Sequence, residues 1–334
     1  MSRAKMRVVR LHAPGDLRLH EEALPQPAAG EILLRVNAVG ICGSDLHWFE
    51  EGAIGEAGIS EPVVLGHEFA ATKEDGTRVA VDPSIPCEVC EQCREGNPNL
   101  CEQIIFAGYG KQEGALREYL AWPERTCFPI PDSLSDSDGV MLEPLGVAIH
   151  ALDLAHLRHD MRVAVLGCGP IGLMVLQLVR LFGVDRITAT EVLPHRVEAA
   201  RALGFDGCRL VEKSALDLPD IEPPHVVFEC AGDNAAVETA VNILRPGGRI
   251  LLAGIPPDDR TSFRAATARR KGITFLLVRR MKHTYPRAIQ LVAEGRVDVR
   301  SLVTHTFPLE RAPEAFAAAA KREGMKVVIE IKPS

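Results

Sequence analysis

Hydrophobic and polar positions change their period once along the chain, near Met161. Up to about Pro131, apolar residues come in short alternating runs such as residues 31–39 (EILLRVNAV) and 78–81, separated by turns rich in Gly and Pro. A period of two marks half-buried strands, so this part predicts a β-rich fold. Residues 142–157 (LEPLGVAIHALDLAHL) carry apolar positions at helical spacing and predict a helix linking two domains. From Met161, apolar runs of four or five residues alternate with helical segments. Strands are predicted at 162–166, 186–190, 226–230, 250–253 and 274–278, and helices at 171–182, 194–203, 235–244 and 263–270. This alternation predicts a parallel, doubly wound α/β sheet. A helix at 285–294, a strand at 303–307, a helix at 312–321 and a strand at 326–331 complete the pattern.

Composition narrows the class. A chain of 334 residues, 46% hydrophobic and 25% charged, suits about two globular domains. The longest apolar stretch, 163–182, is interrupted by Gly167, Gly169, Pro170, Gly172, Gln177 and Arg180, so no membrane span is expected. A net charge of −7 without a basic block argues against a nucleic-acid surface. The start, MSRAKMRVVRLHAP, has no apolar signal core, and the expected location is the cytoplasm.

Four of the nine cysteines, Cys87, Cys90, Cys93 and Cys101, fall in PCEVCEQCREGNPNLC with spacing C-x2-C-x2-C-x7-C. Four thiolates at this spacing can close a tetrahedron around one zinc ion, which leaves no open position and makes the site structural. Paired disulfides are the alternative, and a reducing compartment disfavours them. Upstream, Cys42 in GICGSDLH and the pair His67–Glu68 in GHE supply ligand types for a second, open zinc site. Glu143 in MLEPLG is a further carboxylate at the start of the linking helix.

The segment VAVLGCGPIGL places Gly167, Gly169 and Gly172 as G-x-G-x-x-G between a predicted strand and helix. The first glycine permits a tight turn, the second a close approach of backbone to a pyrophosphate, and the third close packing of helix on strand. Pro170 suits the first helical turn, and with Ile171 it opens the helix whose N-terminus would face phosphate. Glu191, 19 residues past Gly172, ends the next strand. A carboxylate there binds ribose hydroxyls and repels a 2′-phosphate, which favours NAD. Arg196 could stack on adenine or accept a phosphate instead.

GICGSDLHWFEEGAIGEAGISEPVVLGHEFA resembles the catalytic-zinc region of the medium-chain dehydrogenase/reductase family, nearest its polyol (sorbitol/xylitol-type) branch. The cysteine cluster, RVAVDP, LEPLGVAIHA, VLGCGPIGL, FECAG, PGGRILLAG and LVTHTFPLERAPEAF continue the resemblance over nearly the whole chain. It implies a GroES-like β-rich catalytic domain from residues 1–145 and 280–334, around a Rossmann domain at 146–279, with the cofactor in the cleft between them. It implies two zinc ions per chain and NAD. Cys42, His67 and Glu68 would bind the catalytic zinc, with Glu143 as ligand or partner of its bound water and the substrate. Ser44 would take the alcohol proton, His47 would pass it to solvent, and Asp45 would orient His67. Ala253, Gly254 and Ile255 would border the cofactor, and Arg280, with Arg279 as competitor, would contact cofactor and substrate. The implied reaction is reversible oxidation of a secondary alcohol of a polyol, sugar or cyclitol to a ketone, by a homodimer or homotetramer.

The chain departs from the family in places. Ala71 replaces a usual glycine after GHE and the loop before Arg78 is short, which challenges the strand geometry there. Trp48, Phe49 and Met281 stand where polyol enzymes often carry tyrosine. An L-threonine 3-dehydrogenase-like, aminocyclitol or simple secondary alcohol substrate is the rival within the enzyme class. A non-catalytic dinucleotide-binding protein is the rival outside it.

Overall fold

The alternating N-terminal runs become antiparallel strands because each buries one face. In a computed structural model, which describes residues 5–54, 57–110, 112–213, 215, 217–257 and 259–332, the chain divides into two compact units. The first comprises Met1–Glu143, Tyr285–Gly295 and Val299–Ser334, and the second Pro144–Thr284 and Arg296–Asp298.

The first unit is built on a sheet in the order Cys127–Pro129, Arg78–Val81, Glu68–Thr72, Glu31–Gly40, Lys326–Glu330, Val303–Pro308, with Tyr119–Pro123 also pairing Glu31–Gly40. The strand Glu31–Gly40 is long enough to pair Tyr119–Pro123 along one half and Glu68–Thr72 along the other. The pairing with Glu68–Thr72 shifts register between Val36 and Ala38. Ala71 sits inside Glu68–Thr72, which pairs on both sides and is buried along its length, so the missing glycine does not interrupt the strand. A separate hairpin, Lys5–Ala13 with Asp16–Ala23, packs into the same core through Met6, Val8, Val9, Leu11 and Leu17. Tyr285 is fully buried, stacks on Phe128 at 4.7 Å and donates its hydroxyl to the Val81 carbonyl at 2.7 Å. That bond fastens the helix Tyr285–Ala293 to the sheet.

The helix Gly43–Glu51 lies in a segment where the apolar spacing gave no clear helical pattern. It forms because Asp45, its third residue, accepts from the Cys42 backbone N–H at 2.9 Å and closes the first turn. It ends where Gly52 takes a left-handed conformation at φ 70°, the cheapest residue for that turn.

The second unit is a six-stranded sheet, all parallel: Cys208–Leu210, Arg186–Glu191, Arg162–Leu166, Val226–Glu229, Arg249–Leu252 and Thr274–Leu277. Numbered along the chain the order is 3-2-1-4-5-6, the doubly wound order of a Rossmann fold. The third strand, Cys208–Leu210, spans three residues, too short to register as an apolar period. The helices Pro170–Leu181, Pro194–Ala202, Asn234–Ile243 and Ala265–Lys271 lie within a residue or two of their predicted spans.

Lys271 closes a helix that is not its own. Its Nζ donates to the carbonyls of Val241 at 3.0 Å, Asn242 at 2.5 Å and Leu244 at 2.8 Å, the last turn of Asn234–Ile243. A cation at a helix C-terminus satisfies carbonyls that lack intrahelical partners and opposes the negative dipole end. Lys271→Met keeps the apolar stem and removes the charge and donors. It is expected to cost about 1–2 kcal/mol, read as a lower thermal midpoint of this unit.

Candidate metal and dinucleotide sites

In the first unit the donor atoms of Cys42, His67 and Glu68 lie within 4.8 Å of one another. Cys42 precedes the helix Gly43–Glu51, and Glu68 begins the strand Glu68–Thr72. His67 and Glu68 are adjacent, so one ion can meet both only if the backbone turns between them. Gly66, at φ 93°, turns the chain just upstream of the pair, and a Cβ on it would meet Val39 at 2.7 Å.

Asp45 fixes the geometry. It is 1% exposed. One carboxylate oxygen accepts from Cys42 N at 2.9 Å, and the other accepts from Gly66 N at 3.2 Å and faces His67 Nδ1 at 3.4 Å. With Nδ1 turned to Asp45, Nε2 is the nitrogen left for an ion. Burial pushes the Asp45 carboxyl up, but the His67 ring and the two backbone N–H groups outweigh it and hold it below its usual value. Burial likewise opposes a charge on His67. The Asp45 carboxylate and Cys42 more than offset that, and its pKa rises well above the ordinary histidine value.

Glu143 joins this group. It is buried, and burial pushes it up to about 8, with His67 and Lys326 opposing and Glu68 reinforcing the rise. Lys326, absent from the sequence reading, forms a buried ion pair with Glu68. It opens the terminal strand Lys326–Glu330 (KVVIE), and nothing in that local pattern marks its partner. Phe106, also not anticipated, lays its ring 5.1 Å from His67. Trp48 is buried in the core and meets Tyr109 edge-on at 6.0 Å, while Phe49 packs on Phe316 at 5.3 Å. Ser44 and His47 lie three residues apart on the helix Gly43–Glu51, hence on one face. His47 Nδ1 stands 3.3 Å from Glu51 Oε1.

One sulfur, one imidazole nitrogen and one carboxylate within 4.8 Å of one another are a donor set that suits zinc with an open position. The four cysteines Cys87, Cys90, Cys93 and Cys101 also lie within 4.8 Å of one another. Backbone N–H groups point at sulfur, from Cys87 to Cys101 and from Cys90 to Cys87, each at 3.3 Å. The Cys93 backbone N–H is the first cause that lowers the Cys90 thiol to about 6. Such donors favour thiolate, the form that binds zinc, at Cys90, whereas burial and the neighbouring Cys90 and Cys101 thiols push Cys93 up to about 12.

In the second unit, Gly167, Gly169 and Gly172 sit at the carboxyl end of Arg162–Leu166, where the strand order reverses. Gly167 takes φ 93°. A Cβ on Gly172 would stand 1.9 Å from the Gly167 carbonyl oxygen, so this turn closes only around glycine. Gly169 caps the helix that Pro170 and Ile171 open. The Arg196 guanidinium lies over the turn, 3.3 Å from where a Gly169 Cβ would be. Glu191 is buried and accepts from Cys168 N at 2.8 Å, Val192 N at 2.7 Å and Leu193 N at 3.1 Å. Ala253, Gly254 and Ile255 follow Arg249–Leu252 at the same end of the sheet, and Gly254 approaches Gly232 so closely that a Cβ would meet its nitrogen at 2.2 Å. Arg280, at φ 54°, and Arg279 follow the last strand of the sheet.

The sequence pattern of the zinc-binding dehydrogenases matches residues 170–294, and that of the alcohol dehydrogenase GroES-like domain matches residues 28–132. The chain is 33% identical to the sorbitol dehydrogenase of Gallus gallus over 341 residues, covering 97% of this chain and 96% of that one. The chain belongs to the zinc-dependent medium-chain dehydrogenase/reductase family, in its polyol dehydrogenase branch. It is 34% identical to the sorbitol dehydrogenase of Homo sapiens over 344 residues, with 97% and 95% covered. Among solved structures, the L-idonate 5-dehydrogenase of Escherichia coli superposes with a TM-score of 0.90 at 26% identity, with 98% of each chain covered. Membership makes the chain an alcohol or polyol dehydrogenase that uses zinc and a nicotinamide dinucleotide.

Asp45→Asn keeps the shape and withdraws the charge that faces His67. Zinc affinity at the Cys42–His67–Glu68 cluster is expected to fall about 10–100-fold, while the four-cysteine cluster keeps its ion. Competition with a graded series of chelators measures both.

Proposed function

We propose that the chain oxidises a secondary alcohol of a polyol, sugar or cyclitol to a ketone with NAD, at the Cys42–His67–Glu68 cluster. The observation that carries this reading is the close mixed sulfur, nitrogen and oxygen donor set, electrostatically coupled to buried Glu143, in a chain whose sequence relatives include sorbitol dehydrogenases. When bound, zinc supplies the Lewis acidity that lowers the pKa of an alcohol, and NAD supplies the hydride acceptor. The chain's own residues do the rest. Cys42, His67 and Glu68 hold the ion, and Asp45 keeps His67 turned so that Nε2 faces it. Glu143 holds the water or alcohol hydroxyl. Ser44 accepts the alcohol proton, and His47, one turn along the same helix face, passes it outward. Lys326 holds the Glu68 carboxylate in place through its ion pair.

In the second unit, the backbone at Gly169, Pro170 and Ile171 takes the pyrophosphate. Glu191 takes the adenosine ribose. Its two oxygens already accept three backbone N–H groups, which aims the carboxylate and leaves one lone pair for a hydroxyl. Arg196 flanks the adenosine, Ala253, Gly254 and Ile255 border the nicotinamide half, and Arg280 contacts the cofactor. The four-cysteine cluster holds a structural zinc. These roles assign residues 1–145 and 280–334 to catalysis and 146–279 to the dinucleotide. The L-threonine-type and non-catalytic readings gain no support from any specific residue here.

Assembly is proposed from the sheet edge. Thr274–Leu277 is hydrogen-bonded to a neighbouring strand on one side only among the described residues, and Leu277 is 73% exposed. An uncovered apolar edge favours pairing with a second copy, which gives a homodimer or a tetramer of such pairs. Leu277→Lys is expected to lower the molecular mass in light scattering, whereas a wild-type chain already monomeric would contradict the proposal.

The test of function separates the two clusters. Cys42→Ser is expected to lose turnover and one zinc per chain with little change in thermal midpoint. Cys93→Ser should lose the other zinc and lower the midpoint or disrupt assembly. Polyols screened by NADH absorbance, with zinc counted per chain, read both effects. Equal losses of activity and stability in the two variants would overturn the division.

Cofactor choice is read separately. The wild type is expected to prefer NAD, and Glu191→Ala to narrow the NAD-to-NADP ratio of kcat/KM by about tenfold or more, since like charge no longer meets the 2′-phosphate. A wild type that turns over NADP faster at subsaturating cofactor would remove Glu191 from that role.

A further inference from the structure

The hairpin of Lys5–Ala13 with Asp16–Ala23 carries a histidine on each strand, His12 and His20, and neither belongs to the sites described above. Their Nε2 atoms lie 2.9 Å apart, with ring centroids 5.0 Å apart and planes 28° from parallel. His12 sits at the register shift between Leu11 and Ala13, where an extra residue in one strand re-aims its side chain. Both residues are half-buried.

This spacing suits one hydrogen bond between two neutral imidazoles. It also suits two nitrogens at neighbouring corners of a single ion. With metal–nitrogen distances of about 2.0–2.1 Å, a right angle puts the nitrogens about 2.9 Å apart, and a tetrahedral angle puts them about 3.3 Å apart. The observed separation therefore fits a tetragonal or octahedral ion better than tetrahedral zinc.

The surroundings permit a cation. Arg18 pairs with Asp16 through two contacts, at 2.8 and 2.6 Å. Arg10 is shared between Glu22 and Glu113, at 2.5 to 3.0 Å. Each guanidinium on the hairpin face is thus matched by carboxylate before any ion arrives. Partial burial, then Arg18, holds the His12 pKa below its usual value, so its lone pair is available at neutral pH.

We propose that His12 and His20 form a two-imidazole site for a divalent cation of the nickel(II) or copper(II) class, with water completing the coordination. An ion there joins the two strands, in addition to their backbone ladder, and is separate from both zinc clusters. Binding moves no net proton if both rings start neutral. Each ring presents Nε2 to the ion and carries its hydrogen on Nδ1.

The experiment titrates the zinc-loaded full chain with nickel(II) in a calorimeter while a colorimetric chelator reports released zinc. Wild type is expected to take up one nickel per chain without zinc release, and its thermal midpoint should rise with nickel concentration. His12→Gln and His20→Gln, both on the hairpin surface, should each weaken uptake by about tenfold or more and abolish the rise. Equal affinity in wild type and variants, uptake matched by zinc release, or no uptake would each overturn the proposal and leave the pair as a hydrogen bond alone.

Discussion

Asp45 divides its two carboxylate oxygens among three groups from two segments of the chain: the Cys42 backbone, the Gly66 backbone and the His67 ring. The first contact starts the helix Gly43–Glu51, the second holds the turn before the strand Glu68–Thr72, and the third sets which face of His67 is free. A buried carboxylate is costly unless its lone pairs are filled, and here they are filled by the groups that need positioning. Ser44, His47 and Cys42 thus take their places from the same residue that orients His67. The metal cluster is a consequence of how this helix begins.

The dinucleotide half follows the same economy of backbone donors and buried acids. Glu191 accepts three N–H groups from the glycine-rich turn and the start of the next segment. Glu229 accepts from Ala231 and Gly232, each at 2.8 Å, at the end of the neighbouring strand, and burial pushes its carboxyl up. Both acids sit at carboxyl ends of parallel strands beside the point where strand order reverses. The loops they hold are those that a dinucleotide would meet. The backbone there is held by carboxylates at the ends of the sheet strands.

The parts legible in the sequence were those with a period or a fixed spacing. The parallel strands, the glycine turn and the four-cysteine cluster each have one, and the structure places them within a residue or two. Helix Gly43–Glu51 was not legible, because its amphipathic signal is weak and its start depends on a side-chain cap. The strand Cys208–Leu210 is too short for any period. Lys326 was missed because it lies more than 250 residues from Glu68, its partner, and nothing local marks a buried ion pair. The clustering of Cys42, His67 and Glu68 was expected from family resemblance. That the donor atoms of adjacent His67 and Glu68 both come within 4.8 Å of the Cys42 sulfur required coordinates. Phe49, which stands where polyol enzymes often carry tyrosine, is half-buried and packs on Phe316 at the margin of the core.

The central claim is that one chain holds two chemically different metal centres, a closed one of four sulfurs and an open one of sulfur, nitrogen and oxygen. Zinc K-edge X-ray absorption on the purified, zinc-loaded chain tests it most directly. The account predicts two coexisting shells, sulfur at about 2.3 Å and nitrogen or oxygen at about 2.0–2.2 Å, with the lighter shell weakened in Cys42→Ser and the sulfur shell dominated by the four-cysteine cluster. A spectrum fitted by sulfur alone, unchanged by Cys42→Ser, would contradict it.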